Sequence, residues 1–412
     1  MAPADLPNVA AKGISYFTPE QSIPSGTATV PQSNSSNIPK LFQPWAIRGC
    51  TFQNRIMLAP LCQYSAEDGH MTDWHMAHLG GIISRGPGLS MIEATAVTPE
   101  GRITPEDVGI WKDSQIAGLK RIVDFAHSQN QKIGIQLAHA GRKASATAPF
   151  VDGNATATAN VNGWPTKVYA PSAIRQNDEM PEPNAFSLGE IEDLKKAWGA
   201  AVERALKAGF DVIEIHNAHG YLLHEFISPV SNKRTDKYGG SFENRTRLTL
   251  EIVELTRKAI PDSMPLLLRI SATDWLKNTD YEGESWTIKD SVKLAKLIAE
   301  RGVDLIDVSS GGVHPDQKVA VGWQYQAPLA REIKEAVGDT LAVGVVGNIT
   351  KGKQANDLLE EGLDLAIAGR MFQKNPGLVW QWAEELEVEI SVAKQIGWGF
   401  GGRAGRARHQ KI

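Results

Sequence analysis

Short apolar segments alternate along the chain with longer segments in which apolar residues recur at the helical spacing. One pattern occurs three times: a glycine ends a helix, and an aspartate two residues later precedes an apolar strand. These glycines are Gly209, Gly302 and Gly362. Glycine is favoured there because the residue that follows a helix often adopts a left-handed conformation. At the other end of one such helix, Ser187 and Glu190 form a capping box. The repeat predicts strands that are separated by helices rather than by hairpins.

Eight apolar strands can be counted between the predicted helices. They are Arg55–Pro60, Leu89–Val97, Lys132–Ala138, Asp211–His216, Pro265–Ser271, Asp304–Ser309, Thr340–Gly347 and Asp364–Gly369. Continuous apolar strands that alternate with helices are typical of a parallel sheet covered on both faces. A doubly wound open sheet is the alternative, but no Gly-x-Gly-x-x-Gly motif follows a first strand. We therefore predict an α/β protein with the (β/α)8 TIM-barrel fold.

Two irregular segments interrupt this pattern. Residues 1–38 are rich in Pro, Ser, Thr, Ala and Asn without a period, which predicts an N-terminal arm that lies on the surface or stays mobile. Residues 144–186 have a similar composition and predict a long inserted loop, and loops of that length are usually functional or disordered. The barrel domain is expected over residues 39–398. Residues 399–412 form a tail of glycine and basic residues, either a frayed terminus or an interaction segment.

Composition and charge exclude several classes of protein. The net charge of −4 argues against a general nucleic-acid binder. Only two cysteines are present, Cys50 and Cys62, too few for a disulfide framework or a four-cysteine metal cluster. No apolar run approaches the roughly 20 residues that span a bilayer, and the first residues lack the pattern of a signal peptide. We expect a cytoplasmic protein without a membrane partner.

Polar and glycine residues cluster where the eight strands end. In a TIM barrel the carboxyl ends of the strands carry the active site. The residues at these ends are Cys62 to Tyr64, Glu93 and Ala94, Gln136, His216 to Tyr221, Arg269, Ser309 to Gly312, Gly344 to Gly347, and Gly369 with Arg370. The glycine-rich turns after the last two strands expose backbone N–H groups, and a helix start and an arginine follow them. This combination predicts a phosphate site.

His216 and His219 form a His-x-x-His pair with three interpretations. A metal site is one, although no third ligand lies at a recognisable spacing. Two hydrogen-bonded core histidines are another. In the third, the two rings donate N–H groups to a substrate oxygen and draw electrons toward it. His75 and His78 have the same spacing, but they lie at a helix start, and we assign them no role.

Four long motifs resemble those of the old yellow enzymes. They are PLCQYS at 60–65, GRITPEDVGIW at 101–111, GIQLAHAGRK at 134–143 and GFDVIEIHNAHGYLLHEFISPVSNKRTDKYGGSFENRTR at 209–247. The resemblance runs from about Leu41 to Trp398, and it is nearest to the thermophilic-like branch and its fungal relatives. It implies an FMN-dependent ene-reductase without a metal. In such enzymes a hydride passes from NADPH or NADH through the flavin to the β carbon of an α,β-unsaturated carbonyl or nitro compound.

The resemblance also implies a role for individual residues. His216 and His219 match the pair that binds the activating oxygen, and Tyr221 matches the residue that protonates the α carbon. The positions that match the substrate pocket are Tyr64, Ile103 and Lys143. The positions that match flavin contacts are Pro60, Leu61, Cys62, Ala94, Gln136, Arg269, Ser309, Gly347, Gly369 and Arg370. Among these, Cys62 is implied to tune the flavin near N5, and Arg269 to stabilise reduced flavin near N1.

The chain departs from this family pattern at one position. Members of the branch often carry an arginine before a Gly-Trp pair, and it reaches into the active site of a neighbouring subunit. Ile396 occupies that position here, so both a monomer and a homodimer remain open. Two other functions also remain open. A metal-dependent hydrolase would be purified without a yellow colour, and a non-catalytic flavin carrier would bind FMN without turning over an enone.

Overall fold

The centre of the molecule is a closed barrel of eight parallel strands, in a computed structural model that describes residues 8–153, 155–320 and 322–401. The barrel strands are β1 Ile56–Leu58, β2 Leu89–Ala96, β3 Ile133–Ala138, β4 Val212–Asn217, β5 Leu266–Ser271, β6 Leu305–Ser309, β7 Ala342–Val346 and β8 Leu365–Ala368. Each strand pairs with its neighbours in sequence, and β8 pairs with β1 to close the barrel. The predicted TIM barrel is confirmed.

Helices cover the outside of the barrel. They are α1 Asp73–Ile83, α2 Ile116–Ser128, α3 Leu188–Ala208, α4 Leu222–Ile227, α5 Phe242–Ala259, α6 Ile288–Glu300, α7 Ala327–Val337, α8 Gly352–Glu360, α9 Arg370–Lys374, α10 Leu378–Glu385 and α11 Lys394–Gly401. The largest hydrophobic cluster lies between these helices and the strands, and it includes Trp198, Trp286 and Trp382. In a β/α barrel, that interface buries one apolar stripe of each helix.

The helix ends have the predicted local chemistry. The Ser187 side chain accepts the N–H of Glu190, and the Glu190 side chain accepts the N–H of Ser187, which forms the capping box of α3. The same helix ends at Gly209, whose φ of 93° is left-handed. The predicted β7 was too long at its start. Residues 338–340 form a 3-10 turn after α7, so that strand begins only at Ala342.

Inward-facing side chains fill the barrel in layers. At the amino-terminal end, a hairpin of Trp45–Ile47 and Cys50–Phe52 packs against apolar residues inside the barrel. Those residues include Met57, Leu89, Met91, Val212, Leu267, Leu305 and Leu365. Charged and polar side chains lie above this layer, toward the carboxyl ends of the strands. The apolar layer closes one end of the barrel, so a cofactor or substrate can enter only from the other.

The two irregular segments pack against the barrel domain where they are described. Within the N-terminal arm, Thr29 donates its backbone N–H to Glu389, and the Asn54 side chain donates to the carbonyl of Gly26. The 144–186 segment contains 3-10 turns and a short pair of strands, Tyr169–Ala170 with Asn184–Ala185. Residues 1–7 of the arm and residues 402–412 of the predicted basic tail lie outside the described residues.

Candidate active site

Three adjoining cavities open at the carboxyl ends of the strands. The central cavity, of about 310 Å³, is lined by Pro60, Leu61, Cys62, Tyr64, Ala94, Gln136, His216, His219, Tyr221, Arg269 and Gln373. The rear cavity, of about 390 Å³, shares Pro60, Leu61 and Arg269 with it and continues to Ser309, Gly347, Gly369 and Arg370. The outer cavity, of about 660 Å³, is lined by Tyr64, Ile103, Lys143, Tyr221 and polar loop residues. The structure therefore brings every sequence-predicted site residue to one end of the barrel.

His216 and His219 form one wall of the central cavity. Their ring centroids are 5.2 Å apart, and the planes are nearly perpendicular. Burial, followed by repulsion from Arg269, holds the pKa of both imidazoles well below the ordinary value. Both rings are therefore neutral near pH 7, and each carries a single N–H donor.

Ser309 contacts one ring nitrogen of His219, and its single hydroxyl proton can go either to that nitrogen or to Gln326. The Oγ of Ser309 lies 2.7 Å from Nε2 of His219 and 3.3 Å from Oε1 of Gln326. When the Ser309 hydroxyl donates to Nε2, the ring proton of His219 is on Nδ1. The serine thus acts as an orienting group for one of the two imidazoles, and its role as a flavin contact remains a prediction.

Hydrogen bonds anchor the loop between β4 and α4. The His219 N–H donates to Oγ of Ser271, and the Gly220 N–H donates to Nδ1 of His224. Nε2 of His224 in turn donates to Asp274, 3.0 Å away, and both side chains are fully buried. Gly220 has a φ of 70°, and a Cβ there would lie 2.1 Å from the Gly312 carbonyl oxygen. The loop therefore has one packed conformation.

His224 and Asp274 were missed by sequence reasoning. His224 lies inside the longest motif, three residues after Tyr221, and this was a usable signal. The carboxylate that it contacts, however, lies 50 positions away on another loop. Only the folded chain reveals that this pair positions Tyr221.

Tyr221 lies beside both imidazoles. Its ring centroid is 5.0 Å from that of His216 and 6.5 Å from that of His219. Burial raises the phenol pKa well above its usual value, so the hydroxyl keeps its proton. Nζ of Lys143 lies 5.6 Å from the ring centroid and donates to the His219 carbonyl oxygen at 2.8 Å. Burial lowers the pKa of Lys143 to about 8.

The end of β1 brings Cys62 and Tyr64 to the cavity. Tyr64 has a left-handed φ of 50°, and Glu93 accepts the N–H of Gln63 between the two residues at 3.0 Å. Burial raises the pKa of the Cys62 thiol well above its ordinary value, which keeps it protonated. Behind Glu93, Nε2 of the buried His75 lies 3.7 Å from its carboxylate. His75, to which the sequence assigned no role, thus packs behind the site.

The rear cavity has a cationic end. Arg370 and Lys374 line it beside the turns that follow β7 and β8. Gly347 has a φ of 125°, and a Cβ there would approach the Gln326 side chain to 2.7 Å. The helix that follows β8, α9, has only five residues, so the positive charge comes from the side chains rather than from a helix dipole. Gln326 and Lys374 were missed, because neither lies at a strand end.

The residues of the joined central and rear cavities fit FMN. A long cleft with cations at one end suits a phosphate, and the amide of Gln136 and guanidinium of Arg269 suit the polar edge of a flavin ring. Nδ1 of His216 is buried and has no hydrogen-bond partner among the described residues. Such atoms are rare in proteins, and a bound ligand is one way to satisfy them.

The part of the chain that the structure describes contains neither a cluster of metal ligands nor a membrane-spanning helix. No group of three or more His, Cys, Asp or Glu side chains is placed to hold a metal ion. None of the helices combines the length and the apolar character required to cross a membrane.

Known proteins resemble this chain over most of its length. Residues 40–389 match the model of the NADH:flavin oxidoreductase / NADH oxidase family. The chain is 56% identical over 418 residues to an NADH:flavin oxidoreductase of Gibberella zeae, and the match covers 100% of both proteins. It is 42% identical to an NADPH dehydrogenase of a Geobacillus species over 365 residues, which cover 87% of this chain and 99% of that protein.

Solved structures agree with this result. An old yellow enzyme homologue from Zymomonas mobilis matches with a TM-score of 0.68 and 28% identity, covering 86% of this chain and 95% of that one. Morphinone reductase matches with a TM-score of 0.68 and 25% identity, covering 84% of this chain and 90% of the other.

Proposed function

The chain belongs to the NADH:flavin oxidoreductase / NADH oxidase family and, within it, to the old yellow enzymes, and we propose that it is an ene-reductase. It is an FMN-dependent oxidoreductase. Its proposed substrates are α,β-unsaturated carbonyl or nitro compounds, with NADPH or NADH as the hydride donor. The observation that carries the proposal is the wall of the central cavity, where two neutral imidazoles and a protonated phenol face one space beside Arg269.

Residues of the rear and central cavities would hold the cofactor. Arg370 and the turns that contain Gly347 and Gly369 would hold the phosphate. The residues proposed to border the flavin ring are Pro60, Leu61, Cys62, Ala94, Gln136, Arg269 and Ser309. Bound FMN supplies a carrier that accepts a hydride from the nicotinamide and passes it to the substrate.

His216 and His219 would bind the substrate's carbonyl or nitro oxygen. That oxygen gains negative charge as the β carbon of the conjugated double bond is reduced. Two fixed N–H donors therefore stabilise the transition state more than the ground state. For His219 the donor would be Nδ1, with Ser309 donating to Nε2. Because both rings are neutral, they donate without transferring a full proton.

Tyr221 would supply the proton to the α carbon. Its hydroxyl is protonated at neutral pH and lies on the same side of the cavity as His216. The ammonium of Lys143, which is bonded to the loop at His219, would stabilise the negative charge that develops on the phenol oxygen. In this scheme the outer cavity, lined by Tyr64, Ile103 and Lys143, would accept the remainder of the substrate.

Three finer points are also proposed. The 42% identity to a Geobacillus NADPH dehydrogenase supports the thermophilic-like branch. Cys50 and Cys62 are unpaired, which supports a reducing compartment such as the cytosol. With Ile396 in place of an arginine, we propose that each active site is complete within one chain, in a monomer or in a homodimer.

The test begins with the purified protein. The proposal predicts a yellow protein with stoichiometric FMN that oxidises NADPH or NADH when cyclohexenone is supplied under anaerobic conditions. A protein that stays colourless in excess FMN would contradict flavin binding. A yellow protein that is reduced but never reoxidised by any enone or nitroalkene would instead be a flavin carrier.

A further inference from the structure

Three charged side chains lie inside the barrel, immediately above its apolar layer. Glu214 of β4 and Asp307 of β6 are fully buried, and Arg269 of β5 is only 7% exposed. On each of these strands the residue two positions earlier belongs to the apolar layer; these residues are Val212, Leu267 and Leu305. Because side chains alternate along a strand, all three charged groups point into the barrel interior. We call them the interior triad.

The interior triad is incompletely hydrogen-bonded. Nε2 of Gln136 donates to Oε1 of Glu214 at 2.7 Å. Nε of Arg269 lies 3.1 Å from Oδ2 of Asp307, but without the alignment of a hydrogen bond. Oε2 of Glu214 and both oxygens of Asp307 have no hydrogen-bond partner among the described residues. Two carboxyl groups thus share one guanidinium.

A count of charges favours a protonated carboxyl group in the interior triad. With both carboxylates ionised, its net charge would be −1 in a buried environment, which is strongly unfavourable. Burial, followed by the charge of Asp307, raises the pKa of Glu214 to about 8. Burial also raises the pKa of Asp307, while Arg269 opposes that shift. One of the two carboxyl groups is therefore protonated near neutral pH, and the two groups titrate as a pair.

The other groups that face the interior triad do not supply a positive charge that could balance its two carboxyl groups. His216, which pairs with Arg269 in the sheet register, is kept neutral by burial. His219, on the loop after β4, is neutral for the same reason. Gln136 faces it from β3 and carries no charge, and the layer below is apolar. Arg269 is thus the only cation that balances the two carboxyl groups within the described part of the barrel.

The interior triad is linked to the cavity proposed for the flavin. Gln136 contacts Glu214 and lines the central cavity, and Arg269 contacts Asp307 and lines both the central and the rear cavity. A flavin that gains two electrons holds negative charge at N1. The positive charge of Arg269 is then shared between the flavin and Asp307, so the carboxyl pair is less stabilised as an anion and its proton affinity rises.

We propose that the Glu214–Asp307 pair takes up a proton when the bound FMN is reduced, and that this uptake sets the pH dependence of the flavin reduction potential. NADPH or NADH supplies both electrons and one hydrogen to the flavin as a hydride. The additional proton comes from bulk water and binds a carboxylate oxygen of the pair, and it returns to water when the substrate reoxidises the flavin. Glu214 and Asp307 are positioning residues, because they act through Gln136 and Arg269. The inference rests on the proposed flavin site.

The reduction potential of the FMN-loaded protein tests this inference. For a two-electron couple, each proton taken up shifts the potential by about 30 mV for a tenfold change in proton activity. Reduced flavin with one added hydrogen accounts for about 30 mV per pH unit. Uptake by the pair predicts about 60 mV per pH unit in the wild-type protein around neutral pH. In the double variant Glu214→Gln/Asp307→Asn, which leaves no carboxyl group of the pair beside Arg269, the slope should fall to about 30 mV per pH unit.

Infrared difference spectra of the oxidised and reduced protein provide a second measurement. Reduction should produce the C=O band of a newly protonated carboxyl group, and this band should be absent in Glu214→Gln/Asp307→Asn. Glu361→Gln, which changes a surface glutamate paired with Arg331, is the matched control and should retain both the slope and the band.

Failure of this inference can be distinguished from failure of the proposed function. A wild-type protein that binds FMN but shows only about 30 mV per pH unit, without a carboxyl band, overturns the inference without the need for any variant. A wild-type protein that retains no FMN contradicts the proposed function instead. If the double variant loses FMN, the pH dependence of the potential and the carboxyl band of the wild-type protein still decide the question.

Discussion

His216→Ala tests the oxygen-binding wall most directly. The substitution removes one of the two N–H donors of the central cavity and leaves His219 with its Ser309 contact. Removing one donor from a site that stabilises a developing oxyanion typically lowers kcat by about 10² to 10³, or about 2.7–4 kcal/mol. Since His219 still donates, we expect a fall of about 10² in the rate at which the reduced enzyme is reoxidised by an enone.

The size of this effect should be the same at all pH values near neutrality. Burial and the charge of Arg269 hold the pKa of His216 well below its usual value. The ring is then neutral both above and below pH 7, and the alanine variant loses the same neutral donor throughout. A defect that grows as the pH falls would indicate a charged imidazole and would contradict this interpretation.

Stopped-flow measurement separates the two halves of the reaction. Reduction of the FMN-loaded variant by NADPH should be close to wild type, while reoxidation of the prereduced variant by cyclohexenone should be slow. A phenol ligand should bind about 10-fold to 100-fold more weakly, as expected for the loss of a hydrogen bond to a polar ligand oxygen. His70→Ala, at a partly exposed histidine outside all three cavities, is the control. A normal reoxidation rate in His216→Ala would refute the role of this residue.

Three further variants test other parts of the site. In Tyr221→Phe the reoxidation by an enone should slow by about 10² to 10⁴ while reduction by NADPH is unchanged; equal slowing of both steps would contradict a proton donor. In the wild-type protein the KM for an enone should rise as the pH rises through about 8, because Lys143 loses its charge there and holds the His219 carbonyl less strongly. Lys143→Met should show a high KM that does not change around pH 8. A rise of KM that persists in this variant would show that Lys143 is not its cause. Arg370→Ala should raise the Kd for FMN by about 10-fold to 100-fold, measured by recovery of free FMN fluorescence; an unchanged Kd would place the phosphate elsewhere.

The repeating pattern of strands and helices could be predicted from the sequence because the ends of helices carry local capping signals. Ser187 and Glu190 cap α3, and Gly209 ends it with a left-handed residue. The error at β7 arose because Leu341 extends the apolar run of the strand toward α7, whereas the chain after α7 turns at Gly338–Thr340 before it enters the barrel. Strand ends depend on hydrogen bonds to neighbouring strands, and those partners are distant in sequence.

The roles of the groups that pack behind the site were harder to predict from the sequence. Glu214 and Asp307 are charged residues within apolar strands, and this anomaly was a signal that the sequence analysis did not use. The burial of these two charged residues is explained only by the position of Arg269, which lies between them on β5 and supplies the opposite charge. His75 likewise has a local explanation in its helix start, and its position behind Glu93 follows only from packing.

The sequence alone determined the order of strands and helices, the barrel, and which residues lie at the carboxyl ends of the strands. These features follow from hydrophobic periodicity and helix capping, which act over a few residues. Only the tertiary structure decided which side chains meet: Ser309 with His219, His224 with Asp274, and Gln136 with Glu214. Such contacts join residues that are tens of positions apart, and burial then determines which of these groups are charged. That long-range packing is what neutralises the imidazoles and places two carboxyl groups around a single guanidinium beneath the proposed flavin site.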